Sequence, residues 1–285
     1  MKKQLFVSLA SMLALNVASA QNLFVADYSG DNITKITPGG TESAFASGLN
    51  QPIGVAFNSA GNLFVSDSGS GNIYEYTPLG TQSTFASGLN NPTGLVFDNT
   101  GNLYVDSILG GNIIKITPGG AQSTFASGLP GPNEMAFDTA GNLFVANYSG
   151  GSITKITPGG VQSTFASGLP SASGLAFSSG NLFVSVVSGA VLEFTPGGAQ
   201  STFATGLNNP SGMAFDSVGN LFVVNAAPAP NGSITEITPG GVQSTFASGL
   251  NEPWGLTIQP VPEPTIFGFL AVVAGALCVR CRSGR

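Results

Sequence analysis

The amino-acid sequence predicts an all-β fold, a six-bladed β-propeller whose blades are four-stranded antiparallel sheets. Three observations predict it. The motif Asn-Leu-Phe/Tyr-Val occurs six times at intervals of 39 or 40 residues, from Asn22 to Asn220. Each interval contains four short runs rich in β-branched and aromatic residues, which are typical of strands. Turn-forming residues such as Gly-Asn and Pro-Gly-Gly separate the runs.

Four runs, labelled a to d, make up each repeat. In the first repeat they are run b, Leu23–Asp27; run c, Asn32–Pro38; run d, Glu42–Ser47; and run a, Ile53–Phe57. Runs a and b are almost continuously apolar, as expected for strands that neighbouring sheets cover on both faces. Run d is rich in Ser and Thr with one phenylalanine, as expected for a half-exposed outer strand. Four antiparallel strands per repeat of this length are typical of a propeller blade.

The phase of the repeat predicts how the ring closes. The chain body opens on a run b at Asn22 and closes on a run a at Trp254–Ile258. We therefore expect the last run a to complete the first blade, which would protect the sheet edges. An open solenoid is the alternative. It would need distinct capping repeats, and the sequence shows none.

The stretch Pro92–Val105 reads Pro-Thr-Gly-Leu-Val-Phe-Asp and then Gly-Asn-Leu-Tyr-Val. It resembles the NHL-type propeller repeat, and the resemblance extends over almost all of residues 21–260. The sequence departs from that repeat after run c, where Thr-Pro-Gly-Gly recurs. The resemblance implies a binding platform. It does not fix an activity, because propellers carry many different functions.

Residues 1–20 resemble a secretory signal peptide. Lys2 and Lys3 are followed by an apolar stretch and by Ala18-Ser19-Ala20, an A-x-A cleavage site. A buried N-terminal helix is the alternative. We expect the secretion machinery to export the chain and the mature protein to begin at Gln21.

Residues 261–285 have the order of a membrane anchor. The stiff spacer Val261–Pro264 precedes the apolar run Thr265–Val279, and arginines follow it. The run is shorter than the roughly 20 residues that a full membrane span needs. Arginines at its end would stay on the cytoplasmic side. We therefore expect one apolar helix at each terminus, the second acting as a weak anchor.

This tail resembles the PEP-CTERM sorting signal of bacteria that make extracellular polysaccharide. The matching residues are Pro262, Glu263 and Pro264, and the basic residues Arg280 and Arg282. The resemblance implies that the protease-transpeptidase exosortase recognises Pro-Glu-Pro and that the tail is removed or exchanged after export. A plain tail anchor is the alternative. Either way, we expect an exported protein, held transiently or permanently at the membrane and destined for the cell surface or the extracellular space.

The charge of the body excludes several partners. Residues 21–260 carry 13 acidic and three basic residues, a net charge of −10. Such a surface repels nucleic acid and anionic lipid, so we expect no nucleic-acid partner. The sequence contains no histidine, the commonest general base and metal ligand. Both cysteines lie in the tail, so the body has no thiol nucleophile.

Loops that vary between repeats are where a site is expected. The a–b and c–d turns barely vary, whereas the b–c loops and d–a crossovers on the other face do. Near the predicted channel mouth, Glu134 replaces a glycine found in the other five copies, and Trp254 is the single tryptophan. Together with further acidic residues they form a candidate ligand-binding mouth that is acidic and partly aromatic; those residues are Asp27, Asp67, Asp106 and Glu252.

Two chemistries suit such a mouth. Carboxylates and carbonyls bind Ca²⁺, and an indole ring stacks on a sugar. We predict no obligatory cofactor, with Ca²⁺ as the candidate ion and its ligands open. The alternative is purely structural: Asp27 and Asp67 would cap turns through Asx hydrogen bonds, and Trp254 would pack the closing strand.

Three functions follow as hypotheses. The favoured one is a noncatalytic surface or matrix protein that binds extracellular polysaccharide or a surface protein. The second is an enzyme: lactonase-like propellers hold a divalent metal with Glu, Asn and Asp, which Glu134, Asn133 and either Asp67 or Asp106 would imitate. Streptogramin-lyase-like propellers also resemble the repeat, but their chemistry uses histidine. The sequence has no Gly-x-Ser-x-Gly elbow and no phosphate loop. The third hypothesis is a spacer that carries the tail.

Overall fold

The six sequence repeats form six four-stranded antiparallel sheets in the computed structural model, which describes residues 21–260. The described residues contain no helix, and therefore none long and apolar enough to cross a membrane. The segments 1–20 and 261–285, where we predict a signal peptide and a sorting tail, lie outside the described residues.

Each sheet is one blade, and its strands follow the order a, b, c, d from the inside outwards. Blade 1 consists of β24 (Pro253–Ile258), β1 (Leu23–Asp27), β2 (Asn32–Ile36) and β3 (Glu42–Ser47). Blade 2 consists of β4 (Pro52–Phe57), β5 (Leu63–Asp67), β6 (Asn72–Tyr76) and β7 (Gln82–Ala86). Blade 3 consists of β8 (Pro92–Phe97), β9 (Leu103–Ser107), β10 (Asn112–Ile116) and β11 (Gln122–Ser127).

The second half of the chain repeats this arrangement. Blade 4 consists of β12 (Pro132–Phe137), β13 (Leu143–Asn147), β14 (Ser152–Ile156) and β15 (Gln162–Ser167). Blade 5 consists of β16 (Ala172–Ser178), β17 (Asn181–Val186), β18 (Ala190–Phe194) and β19 (Gln200–Thr205). Blade 6 consists of β20 (Pro210–Phe215), β21 (Leu221–Asn225), β22 (Gly232–Ile237) and β23 (Gln243–Leu250).

The last strand closes the ring, as the phase of the repeat predicts. Strand β24 pairs antiparallel with β1, so that Leu23 lies opposite Ile258. Three hydrogen bonds extend this pairing beyond the strands. The Gln259 N–H donates to the Asn22 carbonyl at 2.9 Å, the Asn22 side-chain amide donates to Gln259 Oε1 at 2.7 Å, and the Gln21 side-chain amide donates to the Gln259 carbonyl at 2.9 Å. The first and last described residues are therefore fixed to each other.

Apolar side chains fill the space between neighbouring blades rather than the centre of the ring. Six clusters of buried residues occur, one at each junction between blades. Strands of run b are buried throughout, and the first residues of run d are exposed, as their composition predicts. At the junction of blades 1 and 2, Phe24 packs edge-to-face against Phe45 and Phe57, with centroids 5.0 and 5.1 Å away. Such aromatic pairs stabilise the junction beyond the area that they bury.

The strand directions divide the connections between two faces. We call the face with the a–b and c–d turns the basal face, and the opposite one, with the b–c loops and d–a crossovers, the crossover face. The pairing of Leu23 with both Ile36 and Ile258 places both ends of the described chain on the basal face. The c–d turn that follows Ile36 lies there too. The variable loops therefore lie on the face away from the chain ends.

Candidate functional site

The inner strands of the six blades surround the central channel. Five of them carry glycine at one equivalent position: Gly54, Gly94, Gly174, Gly212 and Gly255. A Cβ atom on Gly212 would lie 2.6 Å from the Trp254 carbonyl oxygen and 2.9 Å from the Leu256 nitrogen. Real Cβ atoms do not approach other heavy atoms this closely, so a side chain here would force the neighbouring strands apart. The remaining blade, blade 4, carries Glu134 at this position.

Buried serines next to two of these glycines fasten the inner strand to the following blade. Ser66 Oγ accepts a hydrogen bond from the Gly54 N–H at 2.7 Å and donates to the Thr93 carbonyl at 2.6 Å. Ser185 makes the equivalent pair of bonds at the junction of blades 5 and 6. Each hydroxyl therefore acts as both acceptor and donor at a fully buried position.

Asp106 occupies this serine position in blade 3. It lies one residue earlier in its strand than Asp27 and Asp67 do in theirs. Successive side chains of a strand point to opposite faces of the sheet. The Asp106 side chain therefore lies on the opposite face from those of Asp27 and Asp67, and it points towards blade 4. Its Oδ1 accepts from the Gly94 N–H at 2.9 Å and from the Thr93 hydroxyl. Its Oδ2 is buried without a hydrogen-bond partner.

Glu134 meets Asp106 at the junction of blades 3 and 4. A Cβ atom on Gly94 would lie 2.6 Å from Asp106 Oδ2 and 2.9 Å from Glu134 Cα, which places both within reach of one point. Glu134 also lines a cavity of about 630 Å³ at the basal end of the channel. The neighbouring Asn133 is turned to blade 5, where its side-chain amide donates to Ser173 Oγ at 3.2 Å.

The two carboxyl groups titrate at unusually high pH. Burial raises the pKa of Asp106 to about 7, although the hydrogen bonds from Thr93 and Gly94 oppose the shift. Burial, and then the negative charge of Asp106, raise the pKa of Glu134 well above its ordinary value. Ser66 of blade 2 donates its hydroxyl to a carbonyl of blade 3, and a protonated Asp106 would donate in the same way to a carbonyl of blade 4. The equivalent acceptor is the Asn133 carbonyl, which lies 2.9 Å from the same Cβ position on Gly94.

Asp27 and Asp67 have a different environment at the ends of their run b strands. Asp67 Oδ2 accepts from the Asn50 N–H at 2.8 Å, and its Oδ1 accepts from the Ser70 N–H at 3.1 Å. It thereby fixes both the incoming crossover and its own turn. Asp27 accepts a hydrogen bond from the Thr34 hydroxyl at 2.6 Å, and burial raises its pKa to about 6. Both side chains are almost fully buried.

Trp254 and Glu252 lie at the junction of blades 6 and 1 on the crossover face. The Trp254 ring is partly exposed and lies 6.2 Å from the Tyr28 ring, whereas its Nε1 is buried and has no hydrogen-bond partner. Glu252 accepts a hydrogen bond from the Ser29 hydroxyl at 2.5 Å. The Glu252 N–H donates to the Ala227 carbonyl at 3.0 Å, which ties this group to the longest b–c loop, residues 226–231.

The predicted acidic and aromatic mouth is therefore not one cluster. Asp106 and Glu134 meet at one junction, whereas Trp254 is on blade 1, directly across the ring from blade 4. Within residues 21–260, no group of three or more His, Cys, Asp or Glu side chains is placed to hold a metal ion. Sequence reasoning missed Ser66, Ser185 and Thr93; a serine as the fourth residue of run b was the signal that could have identified the first two.

Comparisons with known proteins support the fold. No protein-family model matches the chain, and no curated protein does. Solved structures do match at low sequence identity. A chain of a nidogen/laminin complex is 17% identical, with a TM-score of 0.75, over 85% of this chain and 99% of that chain. Virginiamycin B lyase from Staphylococcus aureus is 16% identical, with a TM-score of 0.63, over 84% and 89%. A putative gluconolactonase is 16% identical, with a TM-score of 0.62, over 75% and 90%. These likenesses show the six-bladed propeller fold.

Because the pKa values of Asp106 and Glu134 are raised in the folded protein, we expect the protein to be more stable at pH 5 than at pH 8. A group whose pKa is raised on folding stabilises the fold below its unfolded pKa, and this stabilisation is lost as the pH rises through the folded pKa. For Asp106 that window runs from about pH 4 to about pH 7. Asp106→Ser, which introduces the residue found at Ser66 and Ser185, should stabilise the protein at pH 8 by on the order of 2–4 kcal/mol.

Thermal unfolding of residues 21–260 and of the variant across this pH range provides the measurement. Glu236→Gln, at a partly exposed position in blade 6 across the ring from Asp106, changes the net charge equally and is the matched control. A wild-type melting temperature that is higher at pH 8 than at pH 5, with no gain from Asp106→Ser at pH 8, would contradict the prediction.

Proposed function

We propose that the chain is an exported, noncatalytic propeller that the C-terminal signal sorts to the cell surface, where its crossover face binds extracellular polysaccharide. The observation that carries the proposal is the group formed by Trp254, Tyr28, Glu252 and Ser29 on that face. It combines two partly exposed aromatic rings with a carboxylate and a hydroxyl. Flat apolar surfaces bordered by hydrogen-bonding groups are suited to sugar rings.

The position of this aromatic group supports a binding role. It adjoins the longest variable loop, where Pro228, Ala229, Pro230 and Asn231 are all exposed. Variable loops on a rigid scaffold are where binding residues concentrate. The equivalent place in blade 4 carries Tyr148 without a tryptophan beside it, so the group is a local departure from the repeat.

Other polar side chains near the channel have a structural role in the described residues. Ser66 and Ser185 join neighbouring blades, and Asp67 fixes a crossover. These bonds support the proposal because they leave few polar groups for chemistry on a substrate. A surface protein is the other partner that we consider for the crossover face. A chain from the crystal structure of a nidogen/laminin complex is a structural neighbour of this chain.

A second candidate function is a metal-dependent, lactonase-like enzyme. The observation that favours it is the pair of Asp106 and Glu134 beside the channel cavity, with a buried carboxylate oxygen that has no partner. Carboxylate and carbonyl oxygens suit Ca²⁺. A putative gluconolactonase is among the structural neighbours.

Binding of a polysaccharide should raise the melting temperature of the full chain and shift the fluorescence of Trp254, its single tryptophan. A ligand that binds the native state stabilises it by mass action, by about 2.7 kcal/mol at a hundredfold excess over Kd. The screen uses extracellular polysaccharides with and without a chelator. Trp254→Ala should abolish the thermal shift, whereas the matched control Tyr148→Ala should retain it.

The same screen separates the two functions. A shift that requires Ca²⁺, survives Trp254→Ala and is lost in Glu134→Gln would contradict the polysaccharide proposal and support the metal site. No shift with any polysaccharide would also contradict it and leave the spacer or protein-binding role.

Sorting through the tail has its own test. If exosortase recognises Pro262-Glu263-Pro264, the exported protein should begin at Gln21 and end within residues 261–265. Intact-mass analysis of the surface fraction measures both ends. Substitution of all three residues by alanine should then leave the tail in place. A wild-type protein that retains Arg285 at the surface would contradict sorting and support a plain anchor.

A further inference from the structure

The chain leaves the propeller at the centre of the basal face. Gln259 is fixed beside Asn22, and Pro260 lines the basal cavity of the channel together with Asn58 and Ser59 of an a–b turn. Everything after Pro260 must start from this point. The exit is therefore next to the ring axis and not at the rim.

The reach of the following spacer is short. Thr265, the first residue of the apolar run, can lie at most about 18 Å from Pro260, because five residues extend no further. The four strands of a blade are spaced about 4.8 Å apart, so the rim lies at least about 14 Å further out than the inner strand. To bring the crossover face to a membrane, the spacer would have to cross this distance and also the height of the blade. The spacer cannot do so.

Most of the strongly exposed apolar side chains also lie on the basal face. Of the five large apolar residues that are strongly exposed in the described part of the chain, four lie in turns of the basal face: Leu79, Val161, Val218 and Val242. They belong to blades 2, 4 and 6, which alternate around the ring. Three supports spaced around a central tether define a plane, so this arrangement suits a flat surface better than a single pocket-shaped partner.

The charge of the basal face determines which lipid headgroups it can contact. Its a–b turns carry Asp98, Asp138 and Asp216, of which only Asp138 has a cation nearby in the described part of the chain, the Lys155 ammonium at 4.0 Å. Carboxylates repel anionic headgroups, and the turns therefore favour a zwitterionic surface. Exposed Leu and Val side chains at turn tips are of a size to enter the interfacial region of such a bilayer.

We infer that the basal face is a membrane-contacting surface, which lies flat on a zwitterionic bilayer while the apolar tail is inserted. The inference rests on the tail's acting as an anchor, which belongs to the proposed function. It adds the orientation: the turns of blades 2, 4 and 6 contact lipid, and the crossover face with Trp254 and Tyr28 points away from the membrane. The proposed polysaccharide site therefore stays accessible before the tail is processed.

Site-specific fluorescence in vesicles tests this orientation. Both native cysteines lie in the tail, so Cys278→Ser and Cys281→Ser give a full chain into which one labelled cysteine can be introduced. Leu79→Cys and Val242→Cys report on the basal face. Leu109→Cys is the matched control, because Leu109 is also an exposed apolar loop residue, at 76%, but lies on the crossover face. The variants are reconstituted into phosphatidylcholine vesicles, with or without nitroxide-headgroup lipid, and first tested by flotation.

The inference predicts that labels at positions 79 and 242 lose fluorescence to the nitroxide lipid and that the label at 109 does not. Equal loss at all three positions, or loss at 109 alone, would overturn it. Basal labels that are shielded from aqueous quencher but not quenched by lipid would also overturn it and point to a protein partner. A chain that fails to float would refute the anchor itself, whereas a chain that floats with the wrong quenching pattern refutes only the orientation.

Discussion

The pairing of β24 with β1 is the constraint on which the rest of the structure depends. This pairing joins residues more than 220 positions apart and makes blade 1 from both ends of the described chain. Without it the inner strands would not surround a channel. The apolar junction between blades 1 and 6 would open, and the facing side of each blade would be exposed to water. The same pairing holds Gln259 beside Asn22 and so determines where the tail leaves the ring. The propeller fold, the central channel and the position at which the chain leaves the ring therefore all depend on this one strand pairing.

Closure also explains the chemistry at the centre. The inner strands approach so closely that a glycine is needed at one position in five blades, and buried serines complete the contact in two of them. At the junction of blades 3 and 4, Glu134 stands in place of the glycine and Asp106 in place of the serine. The raised pKa values of their carboxyl groups make that junction sensitive to pH in a way that the serine junctions are not. Binding at the crossover face, by contrast, depends on loops that closure leaves free to vary.

Much of the fold could be predicted from the sequence, because the repeat is regular and its phase fixes the closing strand. Run b spans Leu23–Asp27 in both the prediction and the structure, and run a gains only Pro52. The site was harder to predict. Asp106 resembles Asp27 and Asp67 in type, but it lies one residue earlier in its strand, and this single step turns its side chain to the opposite face. Counting blades along the sequence is enough to place Trp254 and Glu134 on opposite sides of the ring. The burial of Asp106 and the missing hydrogen-bond partner of its Oδ2 depend on how the strands pack, which the sequence does not show.

Hydrogen exchange of the full chain, followed by mass spectrometry of peptides, tests ring closure most directly. Strands that open only on global unfolding exchange together and slowly, whereas frayed ends exchange at once. In a closed ring, the amides of residues 254–258 in β24 should be protected as strongly as those of the inner strands β8 and β16. Rapid exchange of β24 and β1, with the other blades protected, would show an open array of blades and contradict the closed propeller.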